Sequence, residues 1–173
     1  MKKTTIIFTV ILYVFGFTTL SAQAKFEKEK IEISKMLDDF NVAAAKAEYE
    51  KYFSFFADES TFIGTDATEI WNKQEFKVWA KPHFDKKKTW NFTSIKRNIY
   101  FSKDGELVWF DELLDTQMKI CRGSGVLEKI NGAWKVKQYV LSMTIPNDVS
   151  DKVVLEKSAL EDVLLQELKS SKK

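Results

Sequence analysis

The sequence predicts an α+β domain in which helices come first and a curved antiparallel sheet follows. Two observations carry that expectation. Residues 26 to 85 space their apolar side chains mostly at three- and four-residue steps, the repeat of one helix face. Residues 93 to 145 instead carry four runs rich in β-branched and aromatic residues, separated by short turns. A content of 14% Phe, Trp and Tyr supplies the large apolar surface that one core needs.

The first helix is predicted from Phe26 to about Ala47, where Ile33, Met36, Leu37, Phe40, Ala43, Ala44 and Ala47 share one face. A further turn or two over 48–56 carries Tyr49, Tyr52, Phe53 and Phe56, and Ala57-Asp58-Glu59 is expected to break it. Ser60 to Ile63 reads as a short strand that ends in a loop at Gly64. Asn72 followed by Glu75 has the spacing of a capping box, because the Asn side chain can accept from open first-turn amides while Glu reaches back. The helix so started, Lys73 to about Asp85, sets Phe76, Trp79 and His83 on one side, and Pro82 is expected to bend or break it. After a solvated lysine turn at 86–88, strands are predicted over 93–101, 106–115, 121–130 and 133–145. Turns at Lys103-Asp104-Gly105 and Asn131-Gly132 join them as an antiparallel meander.

A two-residue Asn131-Gly132 turn would set Leu127 against Val136 and Glu128 against Lys135, an apolar pair and an opposite-charge pair. One face then gathers Trp134, Val136, Gln138, Val140 and Ser142 with Cys121, Gly123, Gly125 and Leu127. A symmetric loop over 116–120 adds Trp109, Asp111, Leu113 and Asp115, and Lys96, Asn98 and Tyr100 follow. The other face holds Ile95, Ile99, Phe101, Val108, Phe110, Leu114, Val126, Tyr139, Leu141 and Met143. Both faces are largely apolar, so helices are expected over one and a second subunit over the other, where Ile99, Phe101, Phe110, Leu141 and Met143 would otherwise form an exposed apolar patch, giving a homodimer. The alternative is that the terminal helix, with Val153, Leu155, Leu160, Val163, Leu164 and Leu168, covers the second face and leaves a monomer. A bulge near Gly123 or Gly125 would swap part of these faces.

Residues 1–24 read as a cleavable export signal. Lys2 and Lys3 form the positive end, Ile6 to Leu20 the apolar run, and Ser21-Ala22-Gln23-Ala24 the small-residue cleavage site. The apolar run is shorter than the roughly 20 residues of a spanning helix, so no stable membrane insertion is expected after cleavage, and the mature chain is expected in the periplasm or outside the cell. The whole chain has 27 Lys and Arg against 25 Asp and Glu; losing Lys2 and Lys3 with the leader leaves 25 of each. A neutral chain carries no bulk field for nucleic acid. Cys121 is the one cysteine, which excludes an intrachain disulfide, and with His83 the one histidine, zinc sites and nucleophilic triads lack their ligands. No motif points to a cofactor.

Phe62-Ile63-Gly64-Thr65-Asp66 ahead of Trp71-Asn72-Lys73-Gln74-Glu75-Phe76 resembles a SnoaL-like domain. So do Trp109-Phe110-Asp111-Glu112, the run from Cys121 to Leu127, Gly132-Ala133-Trp134-Lys135-Val136, Tyr139 to Ser142 and Pro146-Asn147. On this resemblance 25–147 is the domain and 148–173 a terminal amphipathic helix and tail. The resemblance implies the cone-shaped, cystatin-like roll of the nuclear-transport-factor-2-like superfamily, which includes polyketide cyclases, ketosteroid isomerases, dehydratases and many binding members. Catalytic relatives use a buried acid or base in an apolar cone. The position of the isomerase base falls near Gly64 and that of its phenolic donor near Phe40, so this pair is not carried over.

Asp111 lies between apolar residues in a strand, where a desolvated carboxyl would acquire the raised pKa of a general acid or base, or else pair with Lys96 or Arg122 as a structural group, or lie exposed on a curved edge. Trp71, Trp79, Tyr100 and Trp109 are candidates to line a pocket, with Gln138 and Ser142 as its small polar groups; the same aromatics could be plain core. Two functions stay open: a domain binding a small apolar or amphipathic molecule without turnover, and an isomerase, cyclase or dehydratase-type enzyme using Asp111. The lack of a complete catalytic set favours the first.

Overall fold

Helix α1 spans residues 26–45 in the computed structural model, which describes residues 26–171; the predicted leader, residues 1–24, lies outside them. Its buried stripe, Ile33, Leu37, Phe40, Ala43 and Ala44, is the face that the periodicity marks. The helix stops without a glycine. Ala47 takes a positive φ of 54°, and its N–H bonds Ala44 O at 2.9 Å while the Glu48 N–H bonds Ala43 O at 2.9 Å. These two bonds form the Schellman closure, here built on an alanine. Helix α2, Tyr49–Ser54, follows at once and buries Tyr52 and Phe53.

Strand β1 is Phe56–Ile63, so Ala57-Asp58-Glu59 belong to the strand instead of breaking the chain. They sit in a register shift between Phe56 and Thr61, which turns the acids outward. Lys73 Nζ holds this segment through Phe56 O at 3.0 Å and Asp58 Oδ1 at 2.9 Å. A short strand β2, Ile70–Asn72, which the sequence pattern did not mark, pairs antiparallel with β1. It runs directly into helix α3, Lys73–Asp85, whose capping box forms as expected: Asn72 Oδ1 accepts from the Gln74 and Glu75 amides at 2.9 and 3.0 Å, and Glu75 Oε2 from the Asn72 amide at 2.9 Å. The helix continues through Pro82. The carbonyl that loses its donor belongs to Val78, on the exposed side, where water can serve.

Strands β3 (Thr93–Phe101), β4 (Leu107–Thr116), β5 (Lys119–Ile130) and β6 (Ala133–Met143) complete a six-stranded sheet of order β2-β1-β6-β5-β4-β3. β1 joins β6 in parallel and the meander supplies the rest. Asn131 and Gly132 both take positive φ, 51° and 81°, as a tight hairpin turn requires.

The β4–β5 turn corrects the predicted faces. Thr116 pairs with Lys119, so the loop is only Gln117-Met118, held by the Thr116 hydroxyl, which donates to Lys119 O and accepts from the Met118 amide. Leu114 therefore faces Cys121, Glu112 faces Gly123, and Phe110 faces Gly125. This one-residue slip places Val108, Phe110, Glu112 and Leu114 inward, and Trp109, Asp111, Leu113 and Asp115 outward. On β6 the buried alternation changes phase between Val136 and Tyr139, so Tyr139 and Leu141 join Trp134 and Val136 on the inner side. Inside, Phe40, Tyr52, Phe53, Phe56, Phe62, Phe76, Phe84, Phe110 and Tyr139 fill the cone.

Residues 143–173 form a separate unit, with a single 3₁₀ turn at Asn147–Val149 and helix α4, Ser150–Ser170. Its Leu155, Leu160, Val163 and Leu168 are exposed. No helix among the described residues is long and apolar enough to cross a membrane.

Candidate functional site

The capping box fixes where α3 begins, and the helical repeat then aims Phe76 and Trp79 toward β1 and β2. Phe76 lies on Phe62 with ring centroids 4.1 Å apart, and Trp79 meets Trp71 of β2 at 4.8 Å. Trp90, from the segment after α3, comes within 6.1 Å of Phe76 and 6.2 Å of Trp79. These rings leave a cavity of about 150 Å³, closed further by Phe92, Met118 and Leu141. The polar side chains in its wall are Thr65, Glu69 and Gln117. Trp79, 39% exposed, forms part of its mouth.

Glu69 is held in place by the β1–β2 loop. Its amide donates to Asp66 O at 3.0 Å, its carbonyl accepts from Gly64 N at 2.8 Å, and its Oε2 accepts from the Asp66 amide at 3.2 Å. The carboxylate passes so close over Gly64 that a Cβ there would collide with it. Among the described residues no Lys, Arg or His lines the cavity to offset that charge.

Deeper in the cone is a second carboxylate, Glu112, 1% exposed. Arg97 donates to its Oε2 through Nε at 2.9 Å, with Nη2 at 2.8 Å from the same oxygen, and the Tyr139 hydroxyl donates to Oε1 at 3.1 Å. Arg97 also reaches α1, donating to Ser34 O and Oγ at 2.8 Å and to Asp38 Oδ1 at 2.8 Å. Gly123 is required opposite this cluster, since a Cβ would strike the Tyr139 hydroxyl and lie 3.1 Å from Glu112 Cγ. Burial, and then the Glu112 charge, push the Tyr139 phenol well above its ordinary pKa, so it stays a neutral donor. Burial does the same to Tyr52, partly opposed by a hydrogen bond with Trp90. With its partners on α1, β3 and β6, the Glu112 cluster ties the first helix to the sheet; none of its residues lines the indole cavity.

Of the residues singled out in the sequence, Trp71 and Trp79 line the cavity. Asp111, Tyr100 and Trp109 lie together on the outer face of the sheet. Asp111, half-buried, accepts from Asn98 Nδ2 at 3.1 Å, and the Tyr100 hydroxyl is 3.5 Å from its other oxygen. Tyr100 stacks on Trp109 at 5.9 Å, each 44% exposed. Gln138 is half-buried on β6 and Ser142 is exposed; neither lines the cavity. The structure thus separates Trp71 and Trp79 from the other five: the Gln117-Met118 turn sends Tyr100, Trp109 and Asp111 to the outer face, and the phase change on β6 turns Gln138 and Ser142 away from the core. Sequence reasoning missed Glu69, Trp90 and Gln117 as cavity residues and Glu112 as the buried acid. The available signal for Glu112 was register: a Thr-Gln-Met-Lys turn read as two residues would have put it, not Asp111, inside. Gly64 lines the cavity and Phe40 is core. Cys121 is buried, 3.5 Å from the Thr116 hydroxyl. Among the described residues no group of three or more His, Cys, Asp or Glu could hold a metal ion.

This helix-on-curved-sheet architecture is that of the nuclear-transport-factor-2-like, or cystatin-like, proteins. The chain is similar to a protein of that class from Pseudomonas putida, with 12% identity and a TM-score of 0.57 over 71% of this chain and 92% of the other. It is similar to a cystatin-like domain from Nostoc punctiforme at 13% identity and a TM-score of 0.59, covering 82% and 94%. A third such structure, from Cytophaga hutchinsonii, matches at 14% identity and 0.56, covering 66% and 98%. More narrowly, the chain belongs to the SnoaL-like domain family, which matches residues 33–146. No curated protein matches it.

Proposed function

We propose that the protein binds a small, mostly apolar molecule in the indole-lined cavity and does not transform it. The observation that carries this reading is the wall itself: Phe62, Trp71, Phe76, Trp79, Trp90 and Phe92 with polar side chains only at Thr65, Glu69 and Gln117. Apolar walls with few polar groups favour a ligand whose body is apolar and whose orientation one or two hydrogen bonds fix. At about 150 Å³ the space suits a molecule of one-ring size. Asp111 faces the opposite side of the sheet from the buried core and does not reach such a ligand, so the reading does not use it.

Titrating the protein with benzyl alcohol while following tryptophan fluorescence tests this. Saturable quenching is expected, and Trp79→Ala should weaken it about tenfold with little loss of stability, since a half-exposed ring contributes more to the ligand than to the core. Absence of saturation by neutral and charged one-ring compounds alike would overturn the reading.

Export and self-association complete the proposal. The leader motif supports a mature chain beginning near Lys25 outside the cytoplasm, which N-terminal sequencing of the isolated protein checks. The face expected to meet a second subunit proves to be the core side, with Phe110 and Leu141 buried and Ile99 and Phe101 packed against the core, whereas Tyr100, Leu107 and Trp109, exposed on the outer sheet face, support a homodimer through that face; light scattering that returns a monomer at micromolar concentration would rule it out.

A further inference from the structure

We propose that the cavity is selective for an organic cation, a small alkyl- or arylammonium ion; this rests on the cavity being a binding site at all. The charge balance of the wall points there. Three indoles, of Trp71, Trp79 and Trp90, contribute negative ring faces, and among the described residues the one ionisable side chain in the lining is the Glu69 carboxylate. Ring quadrupoles attract a cation, most strongly those of tryptophan, and a carboxylate at the rim adds to the same sign of field. A carboxylate ligand would meet that field with no Lys or Arg in the wall to compensate.

Glu69 is also prepared for this task. The Asp66 amide holds Oε2, and the loop bond between Gly64 and the Glu69 carbonyl fixes the residue's backbone, while Oε1, which takes no hydrogen bond among the described residues, can receive an ammonium N–H. The bare Cα of Gly64 gives the carboxylate its place, because any larger residue would displace it. His83 packs on Trp79 at 4.9 Å but does not enter the lining.

The test compares benzylammonium, benzyl alcohol and benzoate, which share a ring and differ in charge, by calorimetry and tryptophan quenching at neutral pH and low salt. Benzylammonium is expected to bind about five- to tenfold more tightly than benzyl alcohol, from one cation–ring contact and one partly exposed ion pair, and benzoate more weakly than either. Glu69→Gln should reduce the preference for benzylammonium over benzyl alcohol to about twofold, and added salt should act in the same direction. Equal affinity for the cation and the alcohol, or tighter binding of benzoate, would refute cation selectivity while leaving the cavity reading standing. Loss of all three ligands in the unmodified protein would remove both.

Discussion

Arg97→Met is the substitution whose cost follows most directly from the structure. The guanidinium side chain is 7% exposed and the Glu112 carboxylate it faces is fully buried. Methionine keeps most of the apolar stem but removes every donor to Glu112 Oε2, leaving that carboxylate with the Tyr139 hydroxyl alone, and it cuts the link to Ser34 and Asp38 on α1. Breaking a buried pair by removing one partner costs about 3–5 kcal/mol, because a charge stays in a low-dielectric site without its counter-ion. For a domain of this size that corresponds to a fall in Tm of roughly 6–20 °C, at about 2–4 °C per kcal/mol. Urea unfolding at neutral pH, followed by tryptophan fluorescence and circular dichroism, measures the loss. The double variant Arg97→Met with Glu112→Leu should recover a large part of it, since two apolar side chains can replace a buried pair at little net cost. A loss below about 1 kcal/mol in the single variant, or a double variant no better than the single, would show that the cluster is not the buried tie described here.

Ala47→Gly should stabilise the protein by about 1 kcal/mol, because the residue already occupies a left-handed conformation that costs an alanine about that much; unchanged or lower stability on urea unfolding would contradict the Schellman closure at α1. At alkaline pH the two buried phenols, Tyr52 and Tyr139, should destabilise the fold. Both are held above the ordinary value of 10.0, so their contribution is complete below that pH. Above it the unfolded chain releases protons that the folded chain keeps, and stability falls by up to about 2.7 kcal/mol per pH unit for two groups. Full phenolate absorbance near the ordinary pKa with native circular dichroism intact would disprove it.

Much of the architecture was legible because it depends on local chemistry. The three-and-four spacing from Ile33 to Ala44 fixes the buried stripe of α1, Asn72 and Glu75 fix the first turn of α3, and Asn131-Gly132 fixes a hairpin, each through groups within a few residues of one another. The strand over 93–101 and the helix over 73–85 were found at their full length for the same reason. What the chain alone left open depends on partners distant in sequence. β2 is three residues long and exists because β1 offers it an edge. The Gln117-Met118 turn has no glycine or asparagine to announce it; a threonine hydroxyl closes it, and its length decides whether Asp111 or Glu112 is buried. Strand alternation has a period of two, so a single residue in that loop exchanges every side chain between the core and the outer face. The cavity likewise belongs to the tertiary structure. Glu69 and Trp71 come from the segment before α3, Trp79 from the helix, Trp90 from the segment after it and Gln117 from a turn on the sheet, and only their packing turns scattered aromatics and one carboxylate into a site.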